Sequence, residues 1–357
     1  MKKTPFLASI ITTIVIFCVQ SQTLIAQAKK AKTGASSYHT AIDNAYAKYK
    51  DQHEGKNAEY IKELARVDPN IYGVAIVTVD GQSFTKGDLA SRTSIQSISN
   101  VFTLARVVEE QGTKAVMDKI GVNGPNLRSN SITAVEVQQG KGINPLVKPG
   151  ALAAASMING TDSAAKWKNI LDTHSDFAGS KLYLNQPVYV SEASDNSRNQ
   201  AIAQLLSDNG RLYFDPVQAT DLYTKQCAIN INAKDLAIMA STLANGGTNP
   251  ITKKKIVSPE TCSFIMSVMA TAGLHEDSGE WLYAVGLPAK GGVGGGIIAI
   301  CPGKFGIAVI SPPLNEVGNS VKAQKTIYDI VKELKVNPYL VEPLPGAVPA
   351  SINPKDK

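Results

Sequence analysis

The stretch "TSIQSISNVF", Thr93 to Phe102, decides how this sequence is interpreted, because it has the pattern of a helix start that presents a serine, Ser97. A serine in such a place is more often a helix cap, and it acts as a nucleophile only when a neighbouring group accepts its proton. In an S-x-x-K pattern the lysine fills that role, and here its position is held by Asn100. Asparagine is not a useful base. The stretch therefore predicts a candidate nucleophile without its usual amine.

A second segment far along the chain complements Ser97. In "LPAKGGVGGG", Leu287 to Gly296, Lys290 precedes a glycine-rich strand edge. Glycine allows a ligand to approach the backbone closely, and an N–H there, with one at a helix start, can bind a developing oxyanion. Lys290-Gly291-Gly292 also resembles the K-[ST]-G half of the serine β-lactamase and penicillin-binding signature, with Gly291 in the hydroxyl position. The alternative is a glycine-rich bend that serves packing alone.

The composition excludes several function classes. The 357 residues are 43% hydrophobic and 18% charged with a formal charge of +6, which is typical of a globular protein with a solvated surface. Aromatic residues are only 6% of the chain, which argues against a nucleic-acid partner. Four scattered histidines, without an HExxH or CxxC pattern, argue against a metal site. Cys227, Cys262 and Cys301 give no disulfide framework, although one bridge between two of them is left open.

The N-terminus has the pattern of a secretion signal. Lys2 and Lys3 precede a short apolar run from Pro5 to Val19, and Ala26-Gln27-Ala28 forms an A-x-A cleavage site. The run is too short for a comfortable membrane span, so an uncleaved anchor is the less favoured alternative. We therefore expect a signal peptide over residues 1–28, a secreted or periplasmic protein that starts near Lys29, and no membrane association after cleavage.

The order of patterns along the chain predicts the fold class. A hairpin is indicated around Asp80-Gly81, a short helix over Ala58–Arg66, helices from about Ser97 to Cys227, two strands on either side of Pro302-Gly303, and a last helix over Ser320–Leu334. Distant strands that flank a helical insertion predict an α+β fold, in which helices flank an antiparallel sheet and a second lobe is helical. We expect a catalytic domain over residues 29–335, with an α/β lobe (29–95 and 228–335) and a helical lobe (96–227). A proline-rich tail would cover residues 336–357.

Several longer segments, taken together, resemble one family. They are "VDPNIYGVAIVTVDGQ", "SIQSISNVF", "NPLVKPGAL", "SEASDNSRNQA", "LYTKQC", "LANGGTNP", "DSGEWLYAVGLPAKGGVGGG" and "ISPPLNEVGNSVKA". In this order they resemble the bacterial serine-dependent glutaminases over almost the whole mature chain. The resemblance implies a serine β-lactamase-like fold and hydrolysis of L-glutamine to L-glutamate and ammonia through a serine-bound acyl intermediate. It also implies a reaction without metal or cofactor, and a homo-oligomer.

The resemblance carries roles to individual positions. Ser97 matches the nucleophile, Val293 the residue whose backbone N–H completes an oxyanion hole, and Lys290 the lysine before that strand. The matched substrate-binding positions are Glu192, Asn199 and Tyr223. If their segment is helical, the spacing of seven residues places Glu192 and Asn199 on one helix face.

The departures from the family pattern concentrate at the same site. Asn100 replaces a lysine, Lys148 replaces an asparagine, His275 replaces a tyrosine and Gly291 replaces a serine. Lysine and asparagine are thus exchanged between positions 100 and 148. An imidazole, with an ordinary pKa near 6.5, is well suited to accept a serine proton. We hypothesise that His275 is the base and also contacts the substrate, and that Lys148 binds an anionic group of a small-molecule ligand.

Other functions remain open from the sequence. The changed positions are also consistent with a binding protein that kept the pocket and lost turnover. They are further consistent with an amidohydrolase of altered substrate, or with an acyl-transfer or lactam-sensing relative that uses the same Ser97. The sequence also leaves open the simplest alternative, in which His275 is an ordinary loop histidine and Lys148 an exposed surface lysine.

Overall fold

The computed structural model describes residues 36–125, 128, 131–137 and 144–341. The expected signal peptide and the part of the expected tail beyond residue 341 lie outside the described residues. Within the described ranges, no helix has both the length and the apolar character needed to cross a bilayer.

An antiparallel sheet forms the centre of the molecule. Its strand order is β2-β1-β8-β7-β6, and every neighbouring pair is antiparallel. A smaller sheet has the order β3-β5-β4. The strands are β1 (Gly73–Thr78), β2 (Ser83–Gly87), β3 (Thr93–Ser94), β4 (Tyr183–Leu184), β5 (Ile229–Ile231), β6 (Ala289–Gly292), β7 (Gly296–Cys301) and β8 (Phe305–Ile310). The hairpin expected around Asp80-Gly81 is confirmed, and Gly81 has the positive φ of 95° that favours glycine there.

Helices cover both faces of the large sheet and build a separate helical part. They are α1 (residues 36–49), α2 (Lys62–Ala65), α3 (Ser99–Gln111), α4 (Thr113–Lys119), α5 (Ile132–Val137), α6 (Lys148–Met157), α7 (Ser163–Ala178), α8 (Gln186–Ala193), α9 (Ser197–Asp208), α10 (Pro216–Cys227), α11 (Ala233–Ala244), α12 (Pro259–Ala272), α13 (Ser278–Val285) and α14 (Val321–Leu334). The predicted α+β class is confirmed. The residue limits of the predicted domain, lobes and tail stay predictions.

The strands are buried on both sides because a helical layer lies against each face. Val74 and Ile76 of β1 pack with α1, α13 and α14, while Ala75 and Val77 point to α3, α11 and α12. This alternation follows from the two-residue period of a strand. The central strands therefore have apolar residues at consecutive positions, as expected for a sheet covered on both faces.

One expectation about the chain needs correction. The helix expected over Ala58–Arg66 is limited to α2, because the segment before it is held by a backbone pair between Lys56 and Leu314. Asn57 Nδ2 also donates to the carbonyls of Leu64 and Val67, which fixes the turn around α2. The open question of a disulfide is answered as well: the three cysteines of the described chain are free and buried.

The contact between β8 and α11 gives a test of the packing. A methyl group at Gly306 would lie 2.2 Å from the backbone nitrogen of Ser241 in α11, so Gly306→Ala forces the sheet and helix apart. We expect it to lower the free energy of unfolding by about 3 kcal/mol. In Gly279→Ala, a matched control in α13, the methyl group enters open space, and we expect a gain of about 0.5 kcal/mol. Urea unfolding measures both, and equal effects would contradict the packing argument.

Candidate active site

A cleft of about 1120 Å³ opens beside the start of α3. The residues that line it come from segments that are far apart in the sequence, including residues 54–60, Leu146 with Lys148, and residues 314–318. The sequence-predicted site residues that line it are Ser97, Lys148, Tyr223, His275 and Val293. Glu192, Asn199 and Lys290 lie behind these residues in the protein interior.

Ser97 stands in a sharp turn at the start of the helix. The turn Gln96–Ile98 is a 3₁₀ turn that runs directly into α3, and Gln96 has a left-handed φ of 50°. Such a backbone is uncommon for a residue with a side chain, and it is found where a turn presents a functional group. Ser97 is half-buried, and it lines the cleft from the N-terminal end of a helix. Helix N-termini favour negative charge because their N–H groups are unpaired.

The turn between β6 and β7 lies directly against the Ser97 segment. A methyl group at Gly292 would be 2.7 Å from the Ile95 carbonyl oxygen, and one at Gly294 would be 2.1 Å from the Ser94 carbonyl oxygen. Only glycine permits this approach. Val293 sits between these two glycines, so its backbone is held next to the turn that carries Ser97. The arrangement fits the expected pair of N–H donors from Ser97 and Val293.

Asn100 is bonded away from Ser97. Its side chain is 2% exposed, and its Oδ1 accepts a hydrogen bond from Gln226 Nε2 at 2.9 Å. Gln226 Oε1 in turn accepts from Thr103 Oγ1 at 2.7 Å. These two bonds connect Asn100, Gln226 and Thr103 in the interior, so Asn100 has a structural role.

Lys148 enters the cleft from the first residue of α6. Its Nζ donates to Asn199 Oδ1 at 2.9 Å, and its charge acts on the nearby carboxylate of Glu192. Burial lowers the pKa of Lys148, while Glu192 opposes this shift. Lys148 and Asn100 line the same cleft, so the lysine and asparagine that are exchanged between these two positions do face one site.

Glu192 and Asn199 do not lie on one helix, so that expectation was wrong. Glu192 lies in the last turn of α8 and Asn199 lies in α9, because residues 194–196 interrupt the helix. Burial raises the pKa of Glu192 to about 7, against the lowering effect of the Lys148 charge and of a hydrogen bond from Gln96. Its Oε2 is buried and has no hydrogen-bond partner within the described chain.

His275 is an enclosed imidazole at the cleft wall. It begins a 3₁₀ turn, has a left-handed φ of 56° and is 9% exposed. Burial, and then the charge of Lys290, lower its pKa to about 3, so the ring is neutral near pH 7. Neither ring nitrogen has a hydrogen-bond partner among the described residues. The neutral ring has an open lone pair that can accept a proton, but a pKa of about 3 makes it a much weaker base than the imidazole of pKa near 6.5 on which the sequence hypothesis rested.

Lys290 is fully enclosed in β6 and does not line the cleft. Its Nζ donates to the Gly291 carbonyl at 2.7 Å, and burial lowers its pKa to about 7. On the opposite face of β6, a Cβ at Gly291 would lie 2.6 Å from Asn319 Oδ1, which is itself buried and without a partner in the described part of the chain. A serine there would have to displace Asn319, although its hydroxyl could then supply the missing hydrogen bond.

Sequence reasoning missed the residues at the mouth of the cleft. Tyr60 lines the cleft from the loop before α2, and the loop Leu314–Gly318 lines it from the other side. Tyr60 is 66% exposed. The sequence feature that could have pointed to it is a large aromatic residue outside the apolar face of the expected helix. Arg198, in the first turn of α9, also lines the cleft.

Comparison with known proteins identifies the family. The sequence profile of the family described as Glutaminase matches residues 55–339. The chain belongs to the glutaminase family. A curated glutaminase of Colwellia psychrerythraea (strain 34H) is 48% identical over 296 residues, which cover 83% of this chain and 95% of the relative.

Solved structures agree with this assignment. A structure described as the probable glutaminase YbaS superimposes with a TM-score of 0.85 at 43% identity and covers 86% of this chain and 99% of the other. A probable glutaminase from Bacillus subtilis, complexed with 6-diazo-5-oxo-L-norleucine, gives a TM-score of 0.75 at 26% identity, with 85% and 96% covered. The expected glutaminase family, its β-lactamase-like fold and an amidohydrolase that acts on a small molecule are therefore confirmed.

The buried Lys290 of this glutaminase gives a test by pH. Its folded pKa of about 7 lies below the unfolded value near 10.4, so between these values the unfolded chain holds a proton that the folded chain has lost. Stability from this group therefore rises with pH across the window, by at most about 1.4 kcal/mol per pH unit. We expect Lys290→Met to flatten the rise measured by urea unfolding between about pH 7 and about pH 10. Lys234→Met, at an exposed position, is the control, and equal slopes for all proteins would contradict the shift.

Proposed function

We propose that this glutaminase hydrolyses the side-chain amide of L-glutamine to L-glutamate and ammonia through an acyl intermediate on Ser97. The observation that supports this most directly is the position of Ser97 in a sharp turn at a helix start, against the glycine turn that holds Val293. The amide carbonyl would lie at this junction, where two backbone N–H groups can stabilise its oxygen as negative charge develops.

The first half of the reaction forms an ester. Ser97 Oγ attacks the amide carbon while its proton passes to a ring nitrogen of His275. The imidazolium is disfavoured by burial and by Lys290, so it returns the proton promptly to the amide nitrogen. The C–N bond then breaks and ammonia leaves.

The second half releases the product. Water attacks the ester carbon and gives one proton to His275, and the C–Oγ bond breaks as Ser97 regains that proton. Glutamate then leaves the cleft. Around the reacting atoms, Lys148 would bind the carboxylate of the substrate, and Tyr223 would remain a neutral donor because burial raises its pKa.

The nucleophile can be tested by labelling. 6-Diazo-5-oxo-L-norleucine, the compound bound in the Bacillus subtilis relative, can alkylate a nucleophile with loss of nitrogen. We expect peptide mass spectrometry to place the added mass on Ser97, and ammonia release from glutamine to fall by about 10³-fold or more in Ser97→Ala. Ser83→Ala, on the exposed β2, is the matched control. Tight binding of glutamine without ammonia release by the unchanged protein would instead indicate a binding protein.

The base can be tested by removal and rescue. We expect His275→Phe, which keeps a ring, to lower kcat by about 10²–10⁴-fold with a small effect on KM. Adding Asn100→Lys to this variant should restore part of the rate, because an amine then stands three residues after Ser97. The lysine can be accommodated if the Gln226 amide flips, so that Oε1 accepts from the lysine and Nε2 donates to Thr103. Full turnover in His275→Phe would overturn the assignment of the base.

We also propose that the protein is exported, with residues 1–28 as a cleaved signal peptide and a secreted or periplasmic mature chain. The support is the sequence pattern of positive charge, apolar run and A-x-A site. Self-association into a homo-oligomer belongs to the same proposal. Cell fractionation and the mass of the exported chain in solution test these points.

A further inference from the structure

The inner cleft contains a cation supplied by the protein itself. Lys148 Nζ donates to Asn199 Oδ1 at 2.9 Å and its charge compensates that of Glu192. Asn199 is 5% exposed and Glu192 is 9% exposed, so this arrangement is shielded from bulk water. Charges in such a place interact more strongly than charges on the surface.

Glutamine brings two charges to a site of this kind, a carboxylate and an α-ammonium group. The ammonium group needs oxygen acceptors and a counter-charge. The buried acceptors beside this cleft that could serve it are Asn199 Oδ1 and Glu192. Lys148 Nζ already occupies Asn199 Oδ1, whereas Glu192 Oε2 has no hydrogen-bond partner in the described chain but lies under the influence of the Lys148 charge. A second ammonium beside Lys148 would meet like-charge repulsion in a shielded place.

The remaining carboxylates of the cleft do not replace Glu192. Glu54, Glu59 and Glu316 line the cleft but are exposed at its mouth. Exposed carboxylates are screened by water and salt and contribute little to binding. The substrate carboxylate, by contrast, meets a favourable field from Lys148. The balance of charge inside the cleft therefore favours an anion over a zwitterion.

We propose that Lys148 is a specificity-determining residue, and that it selects ω-amides of dicarboxylic acids without an α-ammonium group over glutamine. Glutaramate, which is glutamine without its amino group, is the simplest compound of this class. This inference rests on the proposed amide hydrolysis at Ser97, with glutamine as the weaker substrate of the same serine. Lys148 acts on the distal end of the substrate and takes no part in the exchange of protons.

The experiment measures binding apart from turnover. Calorimetry with Ser97→Ala protein compares glutaramate with L-glutamine, and we expect glutaramate to bind about tenfold or more tightly. Adding Lys148→Met should weaken glutaramate by about tenfold and strengthen glutamine, because Asn199 Oδ1 is then available to the ligand ammonium and the repulsion by the Lys148 charge is removed. Lys148→Asn, which has the residue type of the family at this position, should shift the preference in the same direction. Lys234→Met, at an exposed position outside the cleft, should leave both affinities unchanged.

The outcomes separate this inference from the proposed function. Three outcomes would overturn the role of Lys148. They are tighter binding of glutamine than of glutaramate by the Ser97→Ala protein, an equal loss of affinity for both ligands on Lys148→Met, and no binding of either compound. A preference for glutaramate that Lys148→Met reverses supports it, even if the unchanged protein releases no ammonia from either amide. In that last case only the hydrolysis at Ser97 is lost. Thermal unfolding of each variant shows that the fold is kept.

Discussion

The approach of the β6–β7 turn to the segment before α3 is the contact on which the site depends. Gly292 and Gly294 bring two backbone segments so close that a methyl group at either position would collide with a carbonyl oxygen. The contact joins the edge of the large sheet to the first helix of the helical part. It sets the position of Ser97 relative to Val293, and therefore the place where a carbonyl group could be polarised. Because backbone atoms make the contact, side chains around it can change without moving the two segments.

Desolvation governs the chemistry of the side chains around that contact. Glu192, His275 and Lys290 are all enclosed, and in each case burial is the main cause of a pKa that disfavours the charged form. The interior thus tends toward neutral groups. Burial acts in the same direction on Lys148, and only the mutual attraction of Lys148 and Glu192 opposes it at these two residues. An enclosed site of this kind amplifies the effect of a single charge on a ligand. Exchanging asparagine and lysine across the cleft consequently changes the electrostatic potential at the ligand much more than it changes the shape of the cleft.

The fold was predictable because many weak signals agreed. The hairpin at Asp80-Gly81, the helix α11 and the two strands around Pro302-Gly303 are each encoded locally by turn residues and apolar periodicity. The site was predictable only through the resemblance, since no spacing in the sequence brings Lys148 next to Asn199. One error came from a contact distant in sequence, the Lys56–Leu314 pairing before the short α2, and the other from a local interruption at residues 194–196, which separates Glu192 from Asn199. The burial of Lys290 likewise results from packing, and the local sequence pattern that predicts a strand does not predict it.

The amide of Gln226 has a consequence for the history of the site. A primary amide presents a donor at one end and an acceptor at the other, so a half-turn of its side chain suits either an asparagine or a lysine at position 100. Codons for these two amino acids differ only in the third base, and the same is true of the complementary change at position 148. A single-base change at position 100 therefore leaves the Gln226 amide bonded in either state, whereas the change at position 148 alters the bond to Asn199. Substrate range in this lineage would then be a readily reversible trait on an unchanged scaffold.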